Sequence, residues 1–210
     1  MKTLWYPPAI RMDGPAPKQG YANAGIYKRQ HIGALYHSME GERGGAYSVL
    51  FSTVQSSWHL SLLYTGAFVQ HYPLDAVTWH GNCIFGNMKV GVECEGRVGE
   101  PLTTSQVEAL GEFTAWLAAE EGWPEIKFPD PLWEHSMMID YGAPYATACP
   151  SGRIPWEEVI DLATTTEELK AAVKRNETLR RWGVLILTGI PANIEQARAE
   201  MNYVAALAGE

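Results

Sequence analysis

The segment Lys89-Val90-Gly91-Val92-Glu93-Cys94-Glu95 constrains the fold most. Its alternation of polar and apolar residues predicts a strand, because successive side chains on a strand point to opposite faces. Val90, Val92 and Cys94 then share an apolar face, and Gly91, Glu93 and Glu95 share the other. Glu93 lies opposite the apolar face, where a cleft can form.

Other elements follow from the same reading. Ile32 to Tyr36 is an apolar run ending at His37, which reads as a buried strand. Trp58 to Tyr64 and Ala67 to Tyr72 read as two strands joined at a Thr65-Gly66 hairpin turn. Gly41 to Gly45 reads as a charged, glycine-rich loop. Thr103-Thr104-Ser105-Gln106 offers N-cap residues for a helix through Glu121, with Val107, Leu110, Phe113 and Leu117 on its apolar side. Gly122 and Pro124 end it. A further helix is expected from Trp156 to Leu162, after Pro155.

The flanks differ in character. Residues 1–30 are rich in Pro and Gly and suggest an irregular wrap with turns at Asp13-Gly14 and Lys18-Gln19-Gly20. Beyond residue 163, Thr166 to Trp182 reads as a charged amphipathic helix, and a second helix runs from about Asn193 to Ala208 after the break at Pro191. The expected organisation is a catalytic-sized domain over 1–162 and a helical hairpin over 163–210, packed on the main domain or on another copy of the chain. A length of 210 residues suits one domain with such an appendage.

Charge and composition exclude some functions. A net charge of −8 argues against broad nucleic-acid binding, which needs clustered Lys and Arg. With 46% hydrophobic and 19% charged residues, the chain reads as soluble and globular. The apolar run Val184 to Leu187 is far too short to cross a bilayer. Prolines interrupt the opening Met1-Lys2-Thr3-Leu4-Trp5-Tyr6-Pro7-Pro8 before an apolar signal core forms, so synthesis in the cytoplasm without a secretory signal is expected. Cys83, Cys94 and Cys149 are too few, and odd in number, for a disulfide framework; free thiols or one metal thiolate fit better.

Several side chains are candidates for chemistry. A catalytic zinc needs three N, O or S ligands and an open position. His37 closes a strand, while His135 and Cys149 flank a loop rich in Gly, Pro and Tyr, so the three are free to converge. With no compact metal motif, the spacing alone favours two ordinary histidines and a core thiol. Glu93 suits a general base beside such a metal, and a solvated strand residue is its other reading; Glu95 is the neighbouring alternative. His59 and His80 each follow a tryptophan, and Trp58-His59 and Trp79-His80 pair a ring with a hydrogen-bonding imidazole, as sugar recognition does. They also suit satisfied polar groups within strands. A Cys149 nucleophile with His135 as base has no supporting local signature.

In order, the chain presents Leu35-Tyr36-His37-Ser38, the hairpin from Ser57 to Gln70, Val77-Thr78-Trp79-His80-Gly81-Asn82 and Val90-Gly91-Val92-Glu93-Cys94-Glu95-Gly96. Leu102-Thr103-Thr104-Ser105-Gln106, a late His135 and Thr147-Ala148-Cys149-Pro150-Ser151-Gly152 follow. Over residues 30–162 this resembles the type 2 N-acetylmuramoyl-L-alanine amidase family, which contains phage lysozyme-like amidases, muropeptide-recycling amidases and animal peptidoglycan recognition proteins. The resemblance implies an α/β (α+β) fold, a mixed central sheet flanked by helices, with Zn2+ in a surface groove on His37, His135 and Cys149. It implies Glu93 as the second catalytic group, because the hairpin position that holds Tyr in some members is Trp58 here. Thr147 or His80 is expected at the developing oxyanion. The implied partner is bacterial peptidoglycan or muropeptides, and the implied reaction cleaves the bond between the lactyl group and L-alanine. A phage endolysin is the expected role; a cytosolic recycling amidase and a non-catalytic binding module are the alternatives.

Overall fold

Val90–Cys94 forms a strand (β5) between Leu60–Leu62 (β3) and Ala34–Ser38 (β2), and runs parallel to both. Phe68–Gln70 (β4) returns antiparallel beside β3, and Ile10–Arg11 (β1) lies parallel to β4 at the edge. Leu132–Glu134 (β6) is parallel to β2 at the opposite edge. The result is a six-stranded mixed sheet of order β1-β4-β3-β5-β2-β6. These positions come from a computed structural model that describes residues 4–19 and 33–165. The chain divides after Ala163 into two units, and the sheet belongs to the first. The expected helices Thr166 to Trp182 and Asn193 to Ala208, with the hairpin they would form, lie outside the described residues.

The alternation in β5 places its residues as expected. Val90, Val92 and Cys94 are fully buried in one cluster with Ala34, Tyr36, Leu60, Leu62 and Leu132. Of the helices Arg43–Leu50 (α1), Ile84–Asn87 (α2) and Thr104–Glu121 (α3), α3 covers this face with Leu110, Phe113 and Leu117, and each such side chain, fully buried, contributes roughly 1.5–3 kcal/mol. Thr103 and Gln106 form a reciprocal capping box at the N-terminus of α3, and Gly122 closes its C-terminus at φ 65°, the left-handed conformation that glycine adopts most readily. A helix over 156–165 packs beside it. There a Cβ on Gly111 would lie 2.6 Å from Leu162 Cβ, so the close approach requires glycine.

The opposite face carries Leu35 and Trp133 against Met138, together with the polar residues His37, Ser61 and Glu93. Since β2, β5 and β6 are parallel, His37 and Glu93 lie near the ends of β2 and β5, and His135 directly follows β6. All three share the carboxyl-terminal edge of the sheet, where open α/β sheets place their ligand crevices.

Three sequence expectations differ from the structure. Arg43–Leu50 is an α-helix (α1), so Gly44 and Gly45 are helical rather than a loop. Glu42 supplies no side-chain cap; instead Glu95 Oε1 accepts the Arg43 N–H at 2.8 Å, and a carboxylate there also offsets the helix dipole. Asp13-Gly14 is extended rather than a turn, with the Met12 and Gly14 amides donating to Gln70 and His71 carbonyls; a short 3₁₀ turn occupies Ala16–Lys18, and Gly20 of the expected Lys18-Gln19-Gly20 turn lies outside the described residues. The hairpin strands are shorter than read, because Trp58, His59 and His71 lie outside the ladder; the turn at Gly66 (φ 81°) is where expected.

Candidate metal centre and active site

The strand register sets the site. His37 and Glu93 are direct partners across β2 and β5, and Ser61 is the partner of Glu93 from β3. His135 opens the 3₁₀ segment His135–Tyr141. Cys149 is drawn in by two backbone bonds: the Ser38 N–H donates to its Sγ at 3.2 Å, and its carbonyl accepts the Ser136 N–H at 2.7 Å. Thr147 Oγ1 accepts the Cys149 N–H at 3.2 Å.

His37, His135 and Cys149 therefore converge. Their ligand atoms all lie within 4.8 Å of one another. His37 Nδ1 is 3.1 Å from His135 Nδ1 and 3.8 Å from Cys149 Sγ. Donors around one tetrahedral ion, with bonds of about 2.1 Å to N and 2.3 Å to S, stand roughly 3.3–3.6 Å apart; the two His37 separations lie close to that range, and the donor types suit a zinc-sized cation. Burial keeps His135 neutral with its pKa lowered to about 4. Burial, with the neighbouring imidazoles of His135 and His80, holds His37 well below its ordinary value. Neutral imidazole is the form that ligates metals. Burial and then the Glu93 charge push the Cys149 thiol up, an effect that a bound cation reverses.

Glu93 borders this group, with Oε1 4.0 Å from His37 Nδ1. Its Oε2 is buried without a hydrogen-bond partner. Burial, and then the charge of Glu40, raise its pKa to about 8. An unpaired buried carboxylate is costly, and a cation at the neighbouring donors would relieve that cost. Glu95, the alternative acid, is fully committed elsewhere: its two oxygens accept the Arg43 and Tyr64 amides.

The Trp-His pairs separate. Trp79 is half-buried and lines a groove of about 450 Å³ with Asn82, Cys83, Ile84, Asn87, Tyr141 and Gly142. Asn82 joins that groove to the His-His-Cys group, its Nδ2 2.9 Å from His135 Nε2. The other three side chains assigned to substrate lie inside the protein. Trp58 is 3% exposed and donates to Ser61 Oγ. His59 is fully buried; its Nδ1 accepts from Gly91 N–H, and its Nε2 donates to the Ala76 carbonyl. His80 is 6% exposed and sits behind His37. Trp-His adjacency in sequence does not distinguish a groove wall from a packed interior.

Sequence reading missed Asn82 and Arg153. Arg153 is buried behind the site, where its guanidinium bonds Ser38 Oγ and the carbonyls of Cys94, Glu95 and Glu100. It thereby fastens the ends of β2 and β5 to the chain just after Cys149. The segment Cys149-Pro150-Ser151-Gly152-Arg153 held that signal, but nothing local fixes where such an arginine reaches.

Among solved structures the fold is shared widely. A selenomethionine derivative of AmpD aligns with TM-score 0.55 at 17% identity, covering 77% of this chain and 98% of that one. The catalytic domain of XlyA aligns at 0.54 and 17%, covering 74% and 98%. The Staphylococcus aureus hydrolase AmiA, in complex with its ligand, aligns at 0.55 and 17%, covering 76% and 83%. At such identity the likeness is one of fold. No curated protein matches the sequence. The family model described as N-acetylmuramoyl-L-alanine amidase matches residues 21–152. With more than half the chain inside that match, and the mixed sheet and convergent His-His-Cys group in place, the protein belongs to the N-acetylmuramoyl-L-alanine amidase family.

Proposed function

We propose that the chain hydrolyses the amide between the lactyl group of N-acetylmuramic acid and L-alanine in peptidoglycan, using a zinc ion held by His37, His135 and Cys149, with Glu93 as general base. The carrying observation is the placement of an unpartnered, buried Glu93 oxygen beside three convergent N and S donors. When bound, zinc supplies a Lewis acid that polarises the scissile carbonyl and acidifies a water.

The rest of the chemistry belongs to the chain. Glu93 takes the proton from the attacking water and delivers it to the L-alanine nitrogen as the C–N bond breaks. The lactyl carbon leaves as a carboxylate and the peptide as a free amine. Thr147 Oγ1 accepts from the Cys149 amide and keeps its own proton to donate to the developing oxyanion; such a donor contributes about 3 kcal/mol. Trp79 offers a ring face to the glycan or stem peptide along the groove beside Asn82.

Within this family the endolysin role is the one favoured. The solved structures align over 74–77% of this chain and over 98% of AmpD and of the XlyA catalytic domain. Residues 163–210 fall outside the family match and are assigned to wall attachment or self-association. Among the described residues no helix is long and apolar enough to cross a membrane. Digestion of purified cell walls with end-group analysis tests the reaction. New L-alanine N-termini, lost with a chelator or with Cys149→Ser, support it; new reducing sugar ends would replace it with glycoside hydrolysis. Turnover on intact walls exceeding that on soluble muropeptides supports an endolysin, and the reverse preference supports a recycling amidase.

A further inference from the structure

We infer that the turn containing His80 and Asn82 sets the tautomers of both metal-binding histidines, so that these two are positioning residues for the metal centre. The inference rests on the metal reading of His37, His135 and Cys149.

A carbonyl oxygen only accepts hydrogen bonds, so the contact of 3.2 Å between His80 Nε2 and the Lys89 carbonyl places the His80 proton on Nε2. Its Nδ1 then carries a lone pair. His37 Nε2, 2.9 Å from that Nδ1, must therefore be the donor. With its proton on Nε2, neutral His37 presents an unprotonated Nδ1, the atom that lies 3.1 Å from His135 Nδ1 and 3.8 Å from Cys149 Sγ. The other tautomer would put a proton where a ligand lone pair is needed. The order runs from the Lys89 carbonyl through His80 to His37, and its outcome is a competent ligand atom.

His80 is itself braced for this task. Its own amide and that of Gly81 both donate to Asn87 Oδ1, at 3.1 and 2.8 Å. Its ring lies flat against Gly91, where an added Cβ would be 2.8 Å from three ring atoms. Two residues on, Asn82 stands at φ 56° and brings its amide to 2.9 Å from His135 Nε2. As placed, Nδ2 donates to His135 Nε2 and leaves the His135 proton on Nδ1, facing His37 Nδ1, which is the arrangement of the metal-free pair. An amide turned end for end presents Oδ1 instead of Nδ2; turned round, Oδ1 accepts the His135 Nε2–H and frees Nδ1 for a cation. One short turn thus serves the outer nitrogen of each imidazole, which is how metal sites fix ring orientation and tautomer.

The full chain, metal-stripped and 15N-labelled at histidine, is examined by imidazole NMR at neutral pH, and zinc affinity is measured by competition with a chromophoric chelator. The wild type is expected to show His37 as the Nε2–H tautomer. His80→Leu, which fills the space without an acceptor, mixes the His37 tautomers and weakens zinc roughly 10- to 100-fold. His80→Asn, which restores an acceptor near the Nδ1 position, recovers the tautomer and most of the affinity. Asn82→Ala, at an exposed residue, weakens zinc about 10-fold and keeps the test open if Leu is not tolerated at position 80. Wild-type zinc affinity in whichever of His80→Leu and Asn82→Ala folds overturns the inference. Absence of zinc binding by the wild type is a different result, and it overturns the metal reading beneath it.

Discussion

His37 and Glu93 are register partners on neighbouring parallel strands, with the imidazole Nδ1 4.0 Å from a carboxylate oxygen whose twin has no partner. The sheet itself therefore fixes the distance between a proposed ligand and the proposed base. Glu93→Gln keeps the shape and removes the proton acceptor. It is expected to lower kcat roughly 10²- to 10⁴-fold with zinc content unchanged, as measured by release of L-alanine N-termini and by metal analysis. Full turnover with zinc bound would remove Glu93 from the mechanism.

Cys149 enters the group through backbone contacts to Ser38 and Ser136 rather than through a local motif. Cys149→Ala should leave the fold in place and abolish stoichiometric zinc at micromolar concentration, with activity lost in parallel. Chelator treatment of the wild type should give the same loss, reversed by added zinc. Equal zinc in Cys149→Ala and wild type would point to a different ligand set.

Gly91 is the residue against which the His80 ring rests. Gly91→Ala forces that ring to move, since 2.8 Å is closer than carbon atoms approach. Overpacking of this kind costs about 1–3 kcal/mol. Denaturant unfolding should show that loss, and zinc binding should weaken as His80 leaves His37. A variant as stable as the wild type would show that the ring shifts freely.

His71 is buried, with its pKa lowered by that burial to about 4 despite its bond to the Met12 carbonyl. The unfolded chain takes up this proton near pH 6.5, well before the folded protein does. Stability attributable to neutral His71 is thus complete above pH 6.5 and is lost as pH falls from 6.5 towards 4, by roughly 3 kcal/mol at most. His71→Asn should flatten the wild-type slope of unfolding free energy in this window. An unchanged slope would assign the acid sensitivity to other groups.

Trp79 borders the groove beside Asn82 and His135. Trp79→Ala is expected to raise KM roughly 10-fold on muropeptide substrates with little change in kcat, the pattern of lost uniform binding. A fall in kcat at constant KM would instead place Trp79 in contact with the reacting atoms.

Much of the architecture was legible along the chain. The alternation of Val90, Val92 and Cys94 against Glu93 set both faces of β5, and Thr103 with Gln106 set the start of α3. These features arise from strand pleat and helix capping, which act over a few residues. The types of the three donors could be read as zinc ligands, and the order and spacing of the motifs together carried the family resemblance. Tertiary structure decided the rest. Gly44 and Gly45 became helical because Glu95, distant in the chain, caps α1. Trp58, His59 and His80 turned inward while Trp79 faced the groove. The partner of each imidazole nitrogen was fixed across separations of 43 residues for His37 with His80 and 98 for His37 with His135. Local sequence dictates which way a backbone runs and which face is oily; the direction of a lone pair depends on atoms that only folding brings within hydrogen-bond distance.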